Sequence, residues 1–365
     1  MKPSEIRIPP ELLPSDGRFG SGPSKVRADA VRDLAAAAPG YLGTSHRQEG
    51  VRSVVRALRE GLSDLFGLPD GYEVVLSNGG ATAFWDTAVL ALIQRRSRHF
   101  VFGEFSAKFA KAAAAAPHLE DPVVVEAEPG YRPEVGPAGD ADVCALTHNE
   151  TSTGVCMPVS RPDGSALVVV DGTSAAGGMD VDPREFDVYY FSPQKCFAAD
   201  GGLWVAILSP AAVERVERLE SSQRWIPASL SLGQALRDSR LDQTYNTPAL
   251  ATLFLFRHTV DWINSNGGLK WSASRCARSA EGLYGWADAS NFAGPFVTRV
   301  QDRSPVVGTI DFDSRVDAKT VAAVLRSNGV VDVEPYRKLG RNQLRVGLYP
   351  AIEPDDVRRL TGCID

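Results

Sequence analysis

Cysteine and histidine are scarce and scattered. The five cysteines (Cys144, Cys156, Cys196, Cys276 and Cys363) are an odd number with no Cys-x-x-Cys pair, which excludes a disulfide framework and a thiolate zinc site as organising features. The five histidines (His46, His99, His118, His148 and His258) include no His-x-x-x-His, so no metal is expected. Positive charge is not in excess either. A net charge of −6 and a pI near 5.5 argue against the basic face that nucleic acid or an anionic membrane demands. No stretch approaches the roughly 20 apolar residues of a membrane span, and the opening residues 1–10 have no apolar leader core, so the expected location is cytoplasmic and the expected ligands are small. With 44% hydrophobic and 23% charged residues over 365 positions, disorder is not indicated, and the chain is long enough for a large domain with a smaller one.

What is present is organised around residues 187–203, Asp-Val-Tyr-Tyr-Phe-Ser-Pro-Gln-Lys-Cys-Phe-Ala-Ala-Asp-Gly-Gly-Leu. A β-branched and aromatic run delivers Lys195 onto a turn flanked by Ser, Pro and Gly, and a second apolar run, Leu203 to Leu208, follows. Lys195 is therefore expected at a strand end inside the protein. An ammonium ion out of water is costly unless it is paired, deprotonated or consumed covalently, and the usual resolution is a Schiff base. Cys196, beside it, reads as a small apolar residue rather than a nucleophile. Upstream, Leu167-Val-Val-Val-Asp171 is an apolar strand ending in a carboxylate. An acid and an amine at two strand ends are the anchors that pyridoxal 5′-phosphate needs, one for the ring nitrogen and one for the aldehyde. A single strand-end lysine is ordinarily solvated or salt-bridged; it is the further pieces that weigh against that reading here.

Residues 1–16 are proline-rich and aperiodic and read as an extended arm joining the small domain. Phe19-Gly-Ser-Gly-Pro-Ser-Lys25 has no strand before it and lacks the Gly-x-x-x-x-Gly-Lys spacing, so it reads as a turn before a helix over 27–38. His46 and Arg47 lie in a polar loop ahead of a helix with apolar Val51, Val54, Val55, Leu58, Leu62 and Leu65. Tyr72 to Asp86 is a strand, two glycines and a helix start, where unpaired N–H groups of Gly80, Ala81 and Thr82 could hold a phosphate. Phe105, after the strand His99–Gly103, opens an alanine-rich helix to Ala116; an aromatic at such a junction is usually core, but one there could stack on a cofactor ring. Asp142 to Gly154 is a strand with a polar exit. Helices are expected over 211–221 and 248–265, and Asn264–Gly268 is a boundary. Beyond it come strands Val306–Phe312 and Gln343–Leu348 and helices Ala318–Ser327 and Glu353–Leu360. The expectation is an α/β protein. A doubly wound, mostly parallel large domain covers 17–263 with its site beyond the strand ends, and a smaller C-terminal α/β domain covers 264–365.

With these pieces in this order the sequence resembles the phosphoserine aminotransferases, a branch of the class V, fold-type I pyridoxal-phosphate enzymes. The resemblance spans essentially the whole chain through Phe19-Gly-Ser-Gly-Pro-Ser, Ser45-His46-Arg47, Asn149-Glu150-Thr151, Asp171 with Ser174, Ser192-Pro-Gln194-Lys195, Asn246-Thr247-Pro248 and Arg345. It implies that Lys195 carries the cofactor, that Asp171 holds the ring-nitrogen proton, that Phe105 stands where relatives stack a tryptophan, and that Thr151 lies near the ring. The cofactor phosphate would be held by Gln194, the Gly80 and Ala81 amides with Thr82, and Asn246 with Thr247 of the other subunit of a homodimer with shared active sites. His46 and Arg47 match the grip on the substrate phosphate or side-chain carboxylate, and Arg345 the α-carboxylate clamp. Gly79-Gly80-Ala81-Thr82 lacks the arginine of many relatives, and Tyr336-Arg-Lys-Leu-Gly-Arg-Asn342 lacks their His-Arg pair, for which Lys338 or Arg341 is the expected substitute. The implied reaction converts glutamate and 3-phosphohydroxypyruvate to 2-oxoglutarate and O-phosphoserine in serine biosynthesis, with the phosphorylated four-carbon homologue of pyridoxine biosynthesis as a second substrate. The alternatives are another class V aminotransferase, such as the alanine–glyoxylate type, and a catalytically silent pyridoxal-phosphate-binding regulator. A cysteine desulfurase is disfavoured by Phe105.

Overall fold

Hydrophobic period decides where helices and strands alternate along the chain. The computed structural model describes residues 3–365; of the arm expected over 1–16, Met1 and Lys2 lie outside the described residues. The helices are α1 (Ala28–Tyr41), α2 (Glu49–Phe66), α3 (Ala81–Ala91), α4 (Glu104–Ala114), α5 (Pro210–Glu220), α6 (Leu232–Arg240), α7 (Leu250–Ser265), α8 (Gly268–Ala289), α9 (Ala318–Ser327) and α10 (Pro354–Ile364). The strands are β1 (Glu73–Asn78), β2 (Ser97–Val101), β3 (Val123–Glu126), β4 (Val143–Thr147), β5 (Asn149–Glu150), β6 (Val155–Cys156), β7 (Leu167–Asp171), β8 (Val188–Phe191), β9 (Leu203–Leu208), β10 (Ala293–Pro295), β11 (Val307–Phe312) and β12 (Gln343–Gly347).

Seven strands form one sheet in the order β1-β9-β8-β7-β4-β2-β3. The run from β8 to β3 is parallel, and β9 lies antiparallel to both β8 and β1. Every residue of β4, β7, β8 and β9 is buried, because helices cover both faces; this is why these strands read as unbroken apolar runs. On one face Leu58 and Phe66 of α2 and Phe256 of α7 pack on Val168, Val170, Tyr189 and Phe191. On the other, Phe84 and Trp85 of α3 and Phe109 of α4 pack on Val169, Val188 and Tyr190. Alternation along a strand then places Asp171, in step with Leu167 and Val169, on the same face as Tyr190 and beneath α3. The apolar stripe of α2 is buried at all six expected positions, and the helix ends on Gly67 in the left-handed conformation.

The C-terminal part has its own core, built by α8, α9 and α10 around a three-stranded antiparallel sheet, β10-β11-β12. The N-terminal segment runs over it. The Ile8 N–H donates to Asn328 Oδ1 at 3.0 Å, the Ser15 N–H to Asp356 Oδ1 at 2.7 Å, and Arg359 Nη1 to the Glu11 carbonyl at 2.8 Å. Farther along, the Gly347 N–H donates to the Phe19 carbonyl at 2.7 Å, which carries residues 19–24 past β12 toward the ends of the large sheet.

Outside the expectation lay the 22-residue helix α8, the three-residue strand β10 at the edge of the small sheet, the short strand β3 at the edge of the large one, the two-residue hairpin of β5 and β6 inside the polar exit of β4, and α6, a nine-residue helix containing glycine. Such a helix is too short to stand alone; here the Ser231 hydroxyl caps it at the Gln234 N–H and it packs beside β1. Among the described residues no helix is long and apolar enough to cross a membrane, and no cluster of three or more His, Cys, Asp or Glu is arranged to hold a metal.

Candidate active site

Strands β4, β7 and β8 end side by side at Thr147, Asp171 and Phe191. The loops leaving them, the starts of α3 and α4, the 21–23 turn and β12 enclose a cavity of about 370 Å³. Lys195, four residues past β8, is 7% exposed, and its Nζ donates to Thr151 Oγ1 at 2.7 Å. Thr151 Oγ1 donates in turn to Ser174 Oγ at 2.9 Å, and Ser174 to the Asn149 carbonyl at 2.9 Å. Nζ lies 5.2 Å from the centre of the Phe105 ring. Burial pulls the lysine pKa from 10.5 down to about 8, with Asp171 opposing the shift and Arg345 adding to it. The 21–23 turn presses on the same side chain. Gly22 has φ +141°, and a Cβ there would stand 2.9 Å from Lys195 Cε, so both conformation and space require glycine.

Asp171 is held from two sides. Its Oδ1 accepts the Thr173 N–H at 2.8 Å, and its Oδ2 accepts the Tyr190 hydroxyl at 3.1 Å. The same hydroxyl accepts the Trp85 indole N–H at 2.8 Å. Burial, and then the Asp171 charge, push the Tyr190 phenol well above its ordinary value of 10, so it stays a neutral donor. Across the cavity Arg345, on β12, donates through Nη1 to the Thr151 carbonyl at 3.1 Å and lies with its guanidinium carbon 5.3 Å from the Tyr336 ring centre. Burial lowers the Arg345 pKa from 12.5, but a guanidinium keeps its proton in a protein.

The cavity is short of partners for its own polar atoms. Ser21 Oγ, Asn149 Oδ1, Thr173 Oγ1, Gln194 Oε1 and Arg345 Nε are all buried without a hydrogen bond, and all five residues line it. Buried polar groups are nearly always satisfied, so this concentration marks a place shaped for a polar ligand. Gly80, at the N-cap of α3, brings no side-chain cap, and Gly80, Ala81 and Thr82 present the helix start to the cavity as an anion site. A buried amine, a carboxylate fixed by two donors, an anion-binding helix start and the Phe105 ring are what pyridoxal 5′-phosphate requires of a protein, and the residues present fit it.

Of the residues expected from sequence, Gly80, Ala81, Thr82, Phe105, Thr151, Asp171, Gln194, Lys195 and Arg345 line this cavity. His46, Arg47, Asn246, Thr247, Lys338 and Arg341 are not among the residues lining it. The first four gather elsewhere, where His46 Nδ1 meets Thr247 Oγ1 at 3.2 Å and Arg47 Nη1 donates to Gln243 Oε1 at 3.1 Å. Burial, reinforced by Arg47, lowers the His46 pKa. Lys338 is paired with Glu104, and Arg341 with Asp311 at 3.0 Å through Nε, while its guanidinium lies over Phe296. Each of these two cations is thus already engaged by a carboxylate. The sequence reading assigned no role to Gly22, Trp85, Thr173, Tyr190 or Tyr336. Tyr190 and Trp85 read as core residues because they are core on every side except the hydroxyl and the indole nitrogen.

The family model of the class-V aminotransferases matches residues 29–360. A phosphoserine aminotransferase of Rhodococcus jostii is 58% identical over 98% of this chain and 96% of its own length. One of a Nocardioides species is 57% identical over 99% of this chain and 97% of its own. Among solved structures, a phosphoserine aminotransferase from Cytophaga hutchinsonii superposes with a TM-score of 0.88 at 23% identity, covering 95% of this chain and 98% of that one, which is a likeness of fold. A lysine and an acid at the ends of neighbouring central strands, and relatives this near across the full length, agree: the chain belongs to the class-V aminotransferases, in the branch of the phosphoserine aminotransferases.

Proposed function

We propose that this chain transfers the amino group of glutamate to 3-phosphohydroxypyruvate, giving 2-oxoglutarate and O-phosphoserine, and that it works as a homodimer. One observation carries the reading. Lys195 and Asp171 line one cavity together with an uncapped helix start and an aromatic ring, in a chain whose full-length relatives are named phosphoserine aminotransferases. Pyridoxal 5′-phosphate, when bound, supplies an aldehyde that condenses with amines and a ring that takes up the electron pair left when the substrate loses its α-proton.

The chain's own residues do the rest. Asp171, steadied by Thr173 and Tyr190, keeps the proton on the ring nitrogen. Lys195 moves the proton at the substrate Cα. With a pKa of about 8, about one lysine in ten is a free base at pH 7, and the group remains strong enough to take a proton. Thr151 holds Nζ in place, and Phe105, whose ring lies 5.2 Å from Nζ, would help hold the cofactor and exclude water beside it. Gly80, Ala81 and Thr82 at the start of α3 would take the cofactor phosphate, with Gln194, whose Oε1 has no partner, beside them. Arg345, whose Nε has no partner, offers the planar fork that a carboxylate fills with two hydrogen bonds. His46, Arg47, Asn246 and Thr247 cluster away from their own cavity, and we assign all four to the partner's site. Asn246 and Thr247 complete the cofactor phosphate site, and His46 and Arg47 grip the substrate phosphate or the glutamate γ-carboxylate.

The test is a half-reaction screen that follows the cofactor spectrum. Glutamate and O-phosphoserine convert it, and alanine does not; conversion by alanine alone overturns the substrate assignment. Arg47→Ala raises KM for the phosphorylated 2-oxo acid by about ten-fold or more, the worth of a charge-assisted hydrogen bond, and an unchanged KM removes Arg47 from the site. Mixing inactive Lys195→Ala subunits with Arg47→Ala subunits restores activity if the site is shared, and restores none if each subunit is self-sufficient.

A further inference from the structure

Helix α4 begins at Glu104 after Gly103, which brings no side-chain cap to the amides that a helix start leaves unpaired. The caps come instead from residues 150–152. The Glu104 N–H donates to Ser152 Oγ at 3.0 Å, and the Phe105 and Ser106 N–H groups donate to Glu150 Oε2 at 3.1 and 2.9 Å. The Ser106 hydroxyl reaches the same oxygen at 2.9 Å, while the Ser152 hydroxyl and N–H reach Oε1 at 2.8 and 3.2 Å. Glu150 is 0% exposed, and five donors converge on its carboxylate at the positive end of a helix. A Cβ on residue 103 would stand 2.3 Å from Glu150 Cγ, so glycine there is what lets the carboxylate in.

This knot lies between the two walls of the cavity. Phe105 carries the ring 5.2 Å from Lys195 Nζ. Thr151, pinned between Glu150 and Ser152, accepts Nζ through its hydroxyl and the Arg345 guanidinium through its carbonyl. We propose that Glu150 is a positioning residue that joins the Phe105 wall to the Thr151 wall, so that the ring, the lysine and the carboxylate-binding arginine keep one spacing around the cofactor. The proposal rests on the reading that the cavity holds pyridoxal 5′-phosphate. Glutamine in place of Glu150 keeps the shape but has one acceptor oxygen, and its N–H2 points into a cluster of donors.

The experiment compares wild type, Glu150→Gln and Ser231→Ala, the last removing a side-chain helix cap at α6, away from the cavity. It reads the Kd of added pyridoxal 5′-phosphate on the cofactor-free protein, the near-ultraviolet circular dichroism band of the bound cofactor, and the thermal midpoint without cofactor. Glu150→Gln is expected to raise the cofactor Kd by about ten-fold and to weaken the band, while Ser231→Ala lowers the midpoint without changing either. A Glu150→Gln Kd within about two-fold of wild type with an unchanged band overturns the proposal, as does an equal effect of Ser231→Ala. If Glu150→Gln does not accumulate folded, Ser106→Ala decides, since it strips one donor from the carboxylate. A Kd raised about three-fold supports the proposal and an unchanged Kd overturns it. Wild type that binds no pyridoxal 5′-phosphate refutes the functional reading itself, an outcome distinct from any of these.

Discussion

Replacing Lys195 by methionine in the cofactor-free protein is expected to stabilise it near neutral pH and to leave it no more stable at pH 10. The lysine is buried and its folded pKa is about 8 against 10.5 in the open chain, so folding costs about 3 kcal/mol wherever the unfolded lysine is fully charged. The sign follows from proton counting. Between pH 8 and 10.5 the unfolded chain binds more protons at this site than the folded one, so native stability rises with pH through that window. Below about pH 8 the cost is complete, and at pH 10 it has shrunk to about 1 kcal/mol. Methionine has nearly the same shape and no charge; it forfeits only the hydrogen bond to Thr151, which is worth about 1 kcal/mol at every pH. Lys195→Met should therefore lead wild type by about 2 kcal/mol at pH 7 and draw level by pH 10. Urea unfolding of both cofactor-free proteins at pH 7, 8, 9 and 10 measures this, and all other titrating groups cancel in the difference. A lead that stays constant across the series, or no lead at pH 7, refutes the claim that burial depresses this amine.

Tyr190→Phe removes the donor to Asp171 and leaves the buried Trp85 N–H without an acceptor, so a loss of about 2–4 kcal/mol in urea unfolding is expected, with kcat/KM falling about ten-fold as the carboxylate loosens. An unfolding midpoint equal to wild type would show that the three-residue chain does not form. Arg345→Lys keeps the charge and loses the fork, so KM for glutamate should rise about ten-fold while the cofactor spectrum stays unchanged; an unaltered KM places the α-carboxylate elsewhere. Gly22→Ala puts a methyl group against Lys195 Cε at a positive φ, and is expected to lower kcat by about ten-fold and to cost about 1–2 kcal/mol of stability, read by steady-state kinetics and urea unfolding. Activity equal to wild type would mean that the turn moves aside freely.

Much of the large sheet was legible because its strands are buried on both faces and so spell uninterrupted apolar runs. Leu203–Leu208 and Ala318–Ser327 fall at the expected residues, and the α2 stripe is buried in full. The strand β3 and the hairpin β5–β6 were not legible, since a four-residue edge strand and a two-residue ladder carry too little period to register. The amine and the acid of the cavity were legible for a chemical reason, as each is a costly charge at the end of an apolar strand. Tyr190 was not, because an aromatic in a buried strand is ordinarily packing, and only the position of Trp85 on α3 turns its hydroxyl into the support of Asp171.

The one-dimensional pattern by itself determined an α/β protein with a lysine and an aspartate at two strand ends, because burial period and the cost of buried charge are local properties of the chain. Only the tertiary structure decided which cations face the cavity. Arg345 turns inward because β12 presents it to the Thr151 carbonyl, while Lys338 and Arg341, a few residues earlier, are claimed by Glu104 and Asp311. Charge type is written in the sequence, but the nearest partner of a charge depends on distances between segments that only folding sets.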